Sequence, residues 1–263
     1  MARKKIGLAL SGGGARGYAH VGVLKALEDN SIPIDFIAGT SAGSFVGGAI
    51  AAGLTADEIQ AIGRHLSWFR IAGLSYSPRA LMSNAGIAKL VAQHFPLVAF
   101  ENLKIPFAAV ACDIESGSEV ILKDEGDIAA AIRASCAIPG VFTPVMIDGR
   151  QLVDGGVVSP VPVGTVREMG ADIVIAVDLL ACGASFRGTP LTALGMLFQS
   201  AMTLLRAASR SQNYHADIVI EPAIAHIRPD EIRKRDELIT LGEKAGKAKI
   251  EEITNLLRVP QAG

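Results

Sequence analysis

Charge is scarce in this chain of 263 residues: Asp, Glu, Lys and Arg make up 19% of it and sum to a formal net charge of −1. A nucleic-acid binder needs a basic face, so nucleic acid is not the expected partner. Cysteine is scarcer still, and Cys112, Cys136 and Cys182 are too few and too scattered for a disulfide framework or a zinc site. Each lies in an apolar segment, which predicts reduced, buried thiols. No long leader-like run is present either. Behind Arg3, Lys4 and Lys5 the apolar stretch ends at Leu10, before Ser11 and three glycines, and it predicts the first strand of a cytoplasmic protein. Two longer uncharged stretches, 36–56 and 188–205, are also poor membrane spans, the first for its glycines, Thr40, Ser41 and Ser44, the second for Pro190, Gln199 and its threonines. The second predicts a helix lying against a sheet or touching lipid. No internal repeat or low-complexity linker interrupts the chain, so one domain over 1–263 is expected.

What is abundant is apolar surface and glycine. Half the residues are hydrophobic, the mean hydropathy is +0.37, and there are 28 glycines. A large core is therefore expected. The glycines cluster where strands give way to helices. From Ile34 a short apolar run ends at Gly39, and from Ser41 onward Phe45, Val46, Ile50 and Leu54 recur at helical spacing. The junction, Gly39-Thr40-Ser41-Ala42-Gly43, has the G-x-S-x-G pattern of a nucleophile elbow, in which the glycines permit a sharp turn and the serine stands exposed above the sheet edge. The helix that follows aims its first amides at any negative charge forming near Ser41.

A second such junction lies upstream, where the strand Ile6 to Leu10 is followed by Ser11-Gly12-Gly13-Gly14-Ala15-Arg16-Gly17 and a helix from about Tyr18 to Leu27. Consecutive glycines let several N–H groups converge on one anion. Gly12, Gly14 and Gly17 satisfy G-x-G-x-x-G, so a dinucleotide pyrophosphate is one reading of that anion, with Asp35 as the acid that would hold the ribose. The other reading is an oxyanion hole. Both loops would open on the same edge of a parallel sheet, and an oxyanion beside a nucleophile accounts for both of them.

Further along, residues 55–101 carry no recognisable chemistry and are expected to form a cap or apolar wall, with a helix from Ala85 to His94 and with Trp68, Phe69, Tyr76, Pro78 and Met82 among its larger or stiffer groups. Ile105 to Ala111 reads as a strand and Glu119 to Leu122 as its hairpin partner. A short helix from Ile128 to Cys136 and a strand at Gln151 to Val153 lead to Asp154-Gly155-Gly156, a tight turn that projects a carboxylate at a strand end. Strands at Asp172 to Val177 and Asp217 to Ile220 precede a helical C-terminal segment, 228–258, with charges of both signs. His215 and His226 flank the last strand, so a serine–acid–histidine triad is the alternative to any smaller catalytic set. His20, on the helix after the glycine loop, reads as a packing group or as one that supports the site from behind.

Four motifs in this order, SGGGARGYAHVGVL from Ser11, GTSAG from Gly39, ASCAIPGVFTPV from Ala134 and VDGG from Val153, resemble the patatin-like phospholipase family, its small bacterial members in particular. The resemblance covers about residues 5–180. It implies a three-layer α/β/α fold with a central, mostly parallel sheet, and a serine–aspartate dyad: Ser41 as nucleophile and Asp154 as its partner. It further implies an oxyanion hole from Gly12, Gly13 and Gly14 with Arg16 beside them, an elbow shaped by Gly39 and Gly43, and an acid turn shaped by Gly155 and Gly156. The implied activity is hydrolysis of lipid or acyl esters without metal or organic cofactor, with transient contact at the inner face of a membrane. No lipid-targeting domain is recognisable. A non-catalytic scaffold of this fold would have no need of Ser41, Asp154 and the glycine loop together.

Overall fold

The computed structural model describes residues 3–67, 71–75, 80–183 and 190–258. The chain begins by alternating strand and helix: β1 (Ile6–Leu10), α1 (Tyr18–Asp29), β2 (Phe36–Thr40) and α2 (Ala42–Ala51). There follow α3 (Ala56–Arg64), the short strands β3 (Gly73–Leu74) and β4 (Ala80–Ser83), and α4 (Ala85–His94). β5 (Phe107–Asp113) and β6 (Glu119–Lys123) form the expected hairpin, and α5 (Ile128–Ser135) leads into β7 (Gly140–Phe142), β8 (Val145–Ile147) and β9 (Arg150–Asp154). The remaining elements are α6 (Val163–Glu168), β10 (Ile173–Val177), α7 (Ala193–Asn213), β11 (Ile218–Ile220), α8 (Arg235–Lys247) and α9 (Ile250–Arg258).

The main sheet has the order β11-β10-β1-β2-β5-β9-β8, with β6 also paired to β5. From β11 to β5 the strands are parallel; β6 and β9 run antiparallel to β5, and β8 to β9. Every residue of β1 and β10 is buried, as strands covered by helices on both faces must be. Side chains alternate between those faces. Ile6, Leu8 and Leu10 join the large core with α1, α2 and α5, where each such side chain contributes about 1.5–3 kcal/mol by leaving water. Ala9, Ala38, Ala108 and Ala176 face Val163 and Val166 of α6 instead, and their small size lets that short helix lie close to the sheet. These are the three layers the sequence predicts.

The path of β5 explains where a site forms. β2 pairs with it up to Thr40 opposite Val110, and β9 pairs with it from Asp154 opposite Ala111. Because β6 already occupies the other edge of β5 at Ala108 through Cys112, β9 must lie on the edge that β2 leaves. The two strands thus meet end to end along β5, with Ser41 just past one end and Asp154 closing the other.

A second sheet, β3-β4-β7, lies outside this frame. Its strands β3 and β4 come from the region 55–101, of which Trp68, Phe69, Tyr76 and Pro78 lie outside the described residues. In the described part of the uncharged stretch 188–205 the expected helix, α7, begins at Ala193, capped by the Thr192 side chain accepting from the Gly195 amide, and it runs on to Asn213.

Candidate active site

Ser41 caps α2 and holds φ 53° and ψ −122°, a left-handed backbone that a side chain resists. The flanking glycines make the turn feasible: a Cβ on Gly39 would strike the Gly43 carbonyl, and one on Gly43 would strike the Leu10 carbonyl. The turn is fastened by Ser135. Its hydroxyl donates to the Val110 carbonyl (2.6 Å) and accepts from the Ser41 amide (2.9 Å), bridging the ladder position that β2 vacates as it bends away. Ser44 Oγ donates to the Ser41 carbonyl at 2.7 Å, and Thr40 Oγ1 to the Ser159 carbonyl at 2.7 Å. In one respect the elbow departs from expectation, for Ser41 is only 7% exposed. Its hydroxyl is reached through a cavity rather than from open solvent.

Asp154 is buried beside it. Gly155 carries no Cβ because one would collide with the Val110 carbonyl, so the acid turn can press against β5. The Asp154 carboxylate accepts from the Gly156 amide at 2.8 Å. Burial pushes its pKa up from 3.8 to about 6, while the Ser41 hydroxyl and the Gly156 amide pull it back toward the ionised form. The carboxylate is therefore ionised at neutral pH yet far more basic than an ordinary aspartate. Cys136 also adjoins Ser41, but burial and the nearby Asp154 push its thiol far above the usual range, so it is protonated and no rival nucleophile.

The glycine loop runs alongside, close enough that a Cβ on Gly12 would lie 3.5 Å from that of Ser41. Its amides are not equivalent. Gly12 N–H donates to the Pro160 carbonyl (3.1 Å), Ala15 to Pro229 (2.7 Å) and Arg16 to Gly13 (3.2 Å). Among the described residues, the amides of Gly13 and Gly14 have no acceptor, and neither do those of Ala42 and Gly43 in the first turn of α2. The Arg16 guanidinium is buried and directed at backbone carbonyls, Ile227 (2.8 Å), Leu179 (3.1 Å) and Gly183 (3.0 Å). It cross-links the glycine loop to the segments following β10 and β11. The donors left for an anion are thus fewer than the sequence pattern suggests, and they come from two helix starts.

An apolar cavity of about 140 Å³ opens from Ser41, lined by Tyr18, Val21, Phe45, Ile59, Leu90 and Phe142 among others. Its apolar lining suits a hydrocarbon chain. Residues of α3 and α4 form part of its wall, which is the role anticipated for the region 55–101.

None of the five histidines lines this cavity. His20 is fully buried, its pKa lowered by that burial to about 4, and its Nε2–H donates to the Ser11 carbonyl at 2.8 Å. His226 pairs with Glu237 at 2.8 Å, and His65, His94 and His215 are exposed. Asp35 precedes β2 rather than following it, and its carboxylate accepts from the Ile6 amide (2.8 Å) and from Arg3. It sits at the opposite sheet edge from the glycine loop, so the acid a dinucleotide site requires is missing from its place. Among the described residues no cluster of His, Cys, Asp and Glu could hold a metal ion, and no helix is long and apolar enough to cross a membrane.

Ser135 is the residue that sequence reasoning missed. The available signal was a lone hydroxyl on the buried stripe Ile128, Ile132, Ser135, at i, i+4 and i+7 of α5.

The patatin-like phospholipase family profile matches residues 8–167. An uncharacterised NTE family protein of Mycobacterium tuberculosis is 42% identical over 178 residues, covering 66% of this chain and 49% of that protein. Human patatin-like phospholipase domain-containing protein 6 is 34% identical over 66% of this chain and 13% of its own length. Lysophospholipase NTE1 of Coccidioides immitis is 36% identical over 71% of this chain and 12% of its own length. The chain thus spans half or less of the curated relatives it matches. Among solved structures, VipD from Legionella pneumophila superposes with a TM-score of 0.67 at 14% identity, covering 95% of this chain and 67% of that one. ExoU from Pseudomonas aeruginosa, in its complex with SpcU, gives 0.52 at 15% identity, covering 98% and 53%. At such identities the likeness is one of fold.

Proposed function

The chain belongs to the patatin-like phospholipase family, and on that premise we propose that it hydrolyses carboxylic esters of lipids through a Ser41–Asp154 dyad and an acyl-serine intermediate. The observation that carries the proposal is the end-to-end meeting of β2 and β9 on β5, which puts a strained serine and a basic, buried carboxylate together at the mouth of an apolar cavity. Asp154 takes the proton of Ser41 as Oγ attacks the ester carbonyl carbon. The carbonyl oxygen becomes an alkoxide, and the amides of Gly13, Gly14 and Ala42, already pointing without acceptors, stabilise it. Asp154 returns the proton to the departing alcohol as the tetrahedral intermediate collapses. Water then repeats the sequence, with Asp154 taking its proton, and releases the fatty acid.

The cavity holds the acyl chain, and its volume of about 140 Å³ is in keeping with a lysophospholipid or other monoacyl ester. Such substrates reside at lipid–water interfaces, so the reaction is placed at the surface of a membrane. Arg16 supports the site indirectly, by fixing the loop that carries Gly13 and Gly14.

A base with a pKa near 6 sets the pH dependence. Asp154 must be ionised to act, so kcat/KM on a soluble nitrophenyl ester is expected to fall about tenfold per pH unit below about pH 6 and to be level above it. An acid limb near pH 4 would mean that some other, ordinary carboxylate is the base.

The oxyanion assignment makes its own demand. Gly14 has φ 58°, and a Cβ there would lie 2.7 Å from the Pro229 carbonyl that fastens Ala15. Gly14→Ala is therefore expected to displace the loop amides and lower kcat by roughly a hundredfold, with little change in KM. A change confined to KM would make the loop a ground-state binding element instead.

A further inference from the structure

We propose that α7 is the element by which this chain docks on an anionic phospholipid surface, a reading that rests on the lipid-ester activity above. A helix on a protein surface normally turns charged residues outward. Here the outward stripe is Ala193, Leu197, Ser200, Leu204 and Ala207, all exposed, with Met196 and Thr203 beside it. Leu197 is 69% and Leu204 71% exposed, yet the stripe carries no charge until Arg210. By contrast, the exposed positions of α8 and α9 include Asp236, Lys244, Lys247, Glu251 and Glu252.

The position of α7 is fixed by its opposite face. Ser209 Oγ and Asn213 Nδ2 both donate to Asp178 at 2.8 Å, Gln212 accepts from the Val161 amide at 2.8 Å, and Arg206 donates to the Ala181 carbonyl at 3.0 Å. Leu205 rests on the acid turn, where a Cβ on Gly156 would lie 3.2 Å from it. The apolar stripe is thus carried by a helix anchored to the turn that follows Asp154. Two further apolar groups are exposed on elements of the site: Val157 at 52%, three residues after Asp154, and Leu81 at 78% on β4, whose partner strand β7 supplies Phe142 to the cavity.

Charge selects the occupant. Between Asp178 and Asp217 the chain has no carboxylate, and its charged residues there are Arg187, Arg206 and Arg210. An apolar stripe that ends at the exposed Arg210, on a helix without acids, suits the headgroup and upper acyl region of an anionic bilayer. It also holds the site against the phase in which a lipid ester resides.

The test uses the full chain with Ser41→Ala, so that lipid is not consumed, in flotation with vesicles of phosphatidylethanolamine and phosphatidylglycerol and with vesicles of phosphatidylcholine alone. Preferential binding to the anionic vesicles is expected. Adding Leu197→Glu and Leu204→Glu should weaken it by roughly tenfold or more, and Arg210→Glu should weaken it less and reduce its salt sensitivity. With Ser41 present, the α7 variants should turn over a soluble nitrophenyl ester at the parental rate, which separates docking from catalysis. Equal vesicle binding by parent and Leu197→Glu/Leu204→Glu would overturn the proposal. So would sedimentation of the parent as a dimer that the same changes split into monomers, since the stripe would then be covered by a second copy.

Discussion

Replacing Ser41 with alanine is expected to lower ester turnover by on the order of 10³-fold or more while leaving the fold intact. The hydroxyl is the only group at the elbow placed to attack a carbonyl from the cavity, since the thiol of Cys136 is held protonated. The backbone hydrogen bonds that shape the turn run through the Ser41 amide and carbonyl, which alanine retains. Its φ of 53° is retained too, together with its strain. Ser41→Gly should therefore be equally inactive but more stable than Ser41→Ala, by on the order of 1 kcal/mol. Thermal melts of the two variants beside the parent check both statements. Activity in Ser41→Ala near that of the parent would remove the serine from the mechanism.

Asp154→Asn should combine a comparable loss of turnover with a gain in stability. Asparagine cannot take a proton from Ser41, yet its side-chain carbonyl can still accept from the Gly156 amide. The stability sign follows from burial. Between pH 3.8 and about 6 the native carboxyl keeps a proton that the unfolded chain has released, so stability declines as pH rises through that window and stays at the lower level above it. A shift of this size corresponds to at most roughly 3 kcal/mol at neutral pH. The variant should melt above the parent at pH 7, with the gap closing below pH 4. A variant that melts lower at pH 7 would contradict the account of Asp154 as a carboxylate held at a cost. His215→Ala and His226→Ala should keep most of the activity, because His226 is engaged with Glu237 and neither residue lines the cavity. Loss in either comparable to that of Ser41→Ala would mean a triad.

Much of this was legible in the sequence because it is written locally. β1, α1, β2 and α2 declare themselves by apolar periodicity, and the glycines at 12–14, 39 and 43 mark where strand gives way to helix. The Glu119–Lys123 hairpin and the helix Ala85–His94 were legible for the same reason. What was hidden depends on residues far apart in the chain. That Asp154 meets Ser41 is decided by β5, which templates both strand ends, and nothing near either residue reveals it. The roles of the loop amides turn on Pro160 and Pro229, and the direction of the Arg16 side chain on carbonyls more than 160 positions away. Ser41 was expected to stand exposed, but it lies beneath the cavity wall that α3 and α4 contribute, and periodicity within those helices does not tell which partner they cover. Of the three thiols expected to be buried, Cys182 is only partly so where it adjoins Arg16.

The most direct test of the central claim is labelling of the purified chain with a fluorophosphonate, followed by mass spectrometry of the digested adduct. The phosphorus reacts with an activated serine oxygen, and the phosphonyl oxygen occupies the oxyanion position. A single adduct on Ser41, formed in the parent and absent in both Ser41→Ala and Asp154→Asn, is the predicted result. An adduct on another residue, or labelling of Ser41 that is undiminished in Asp154→Asn, would contradict a serine nucleophile activated by that aspartate.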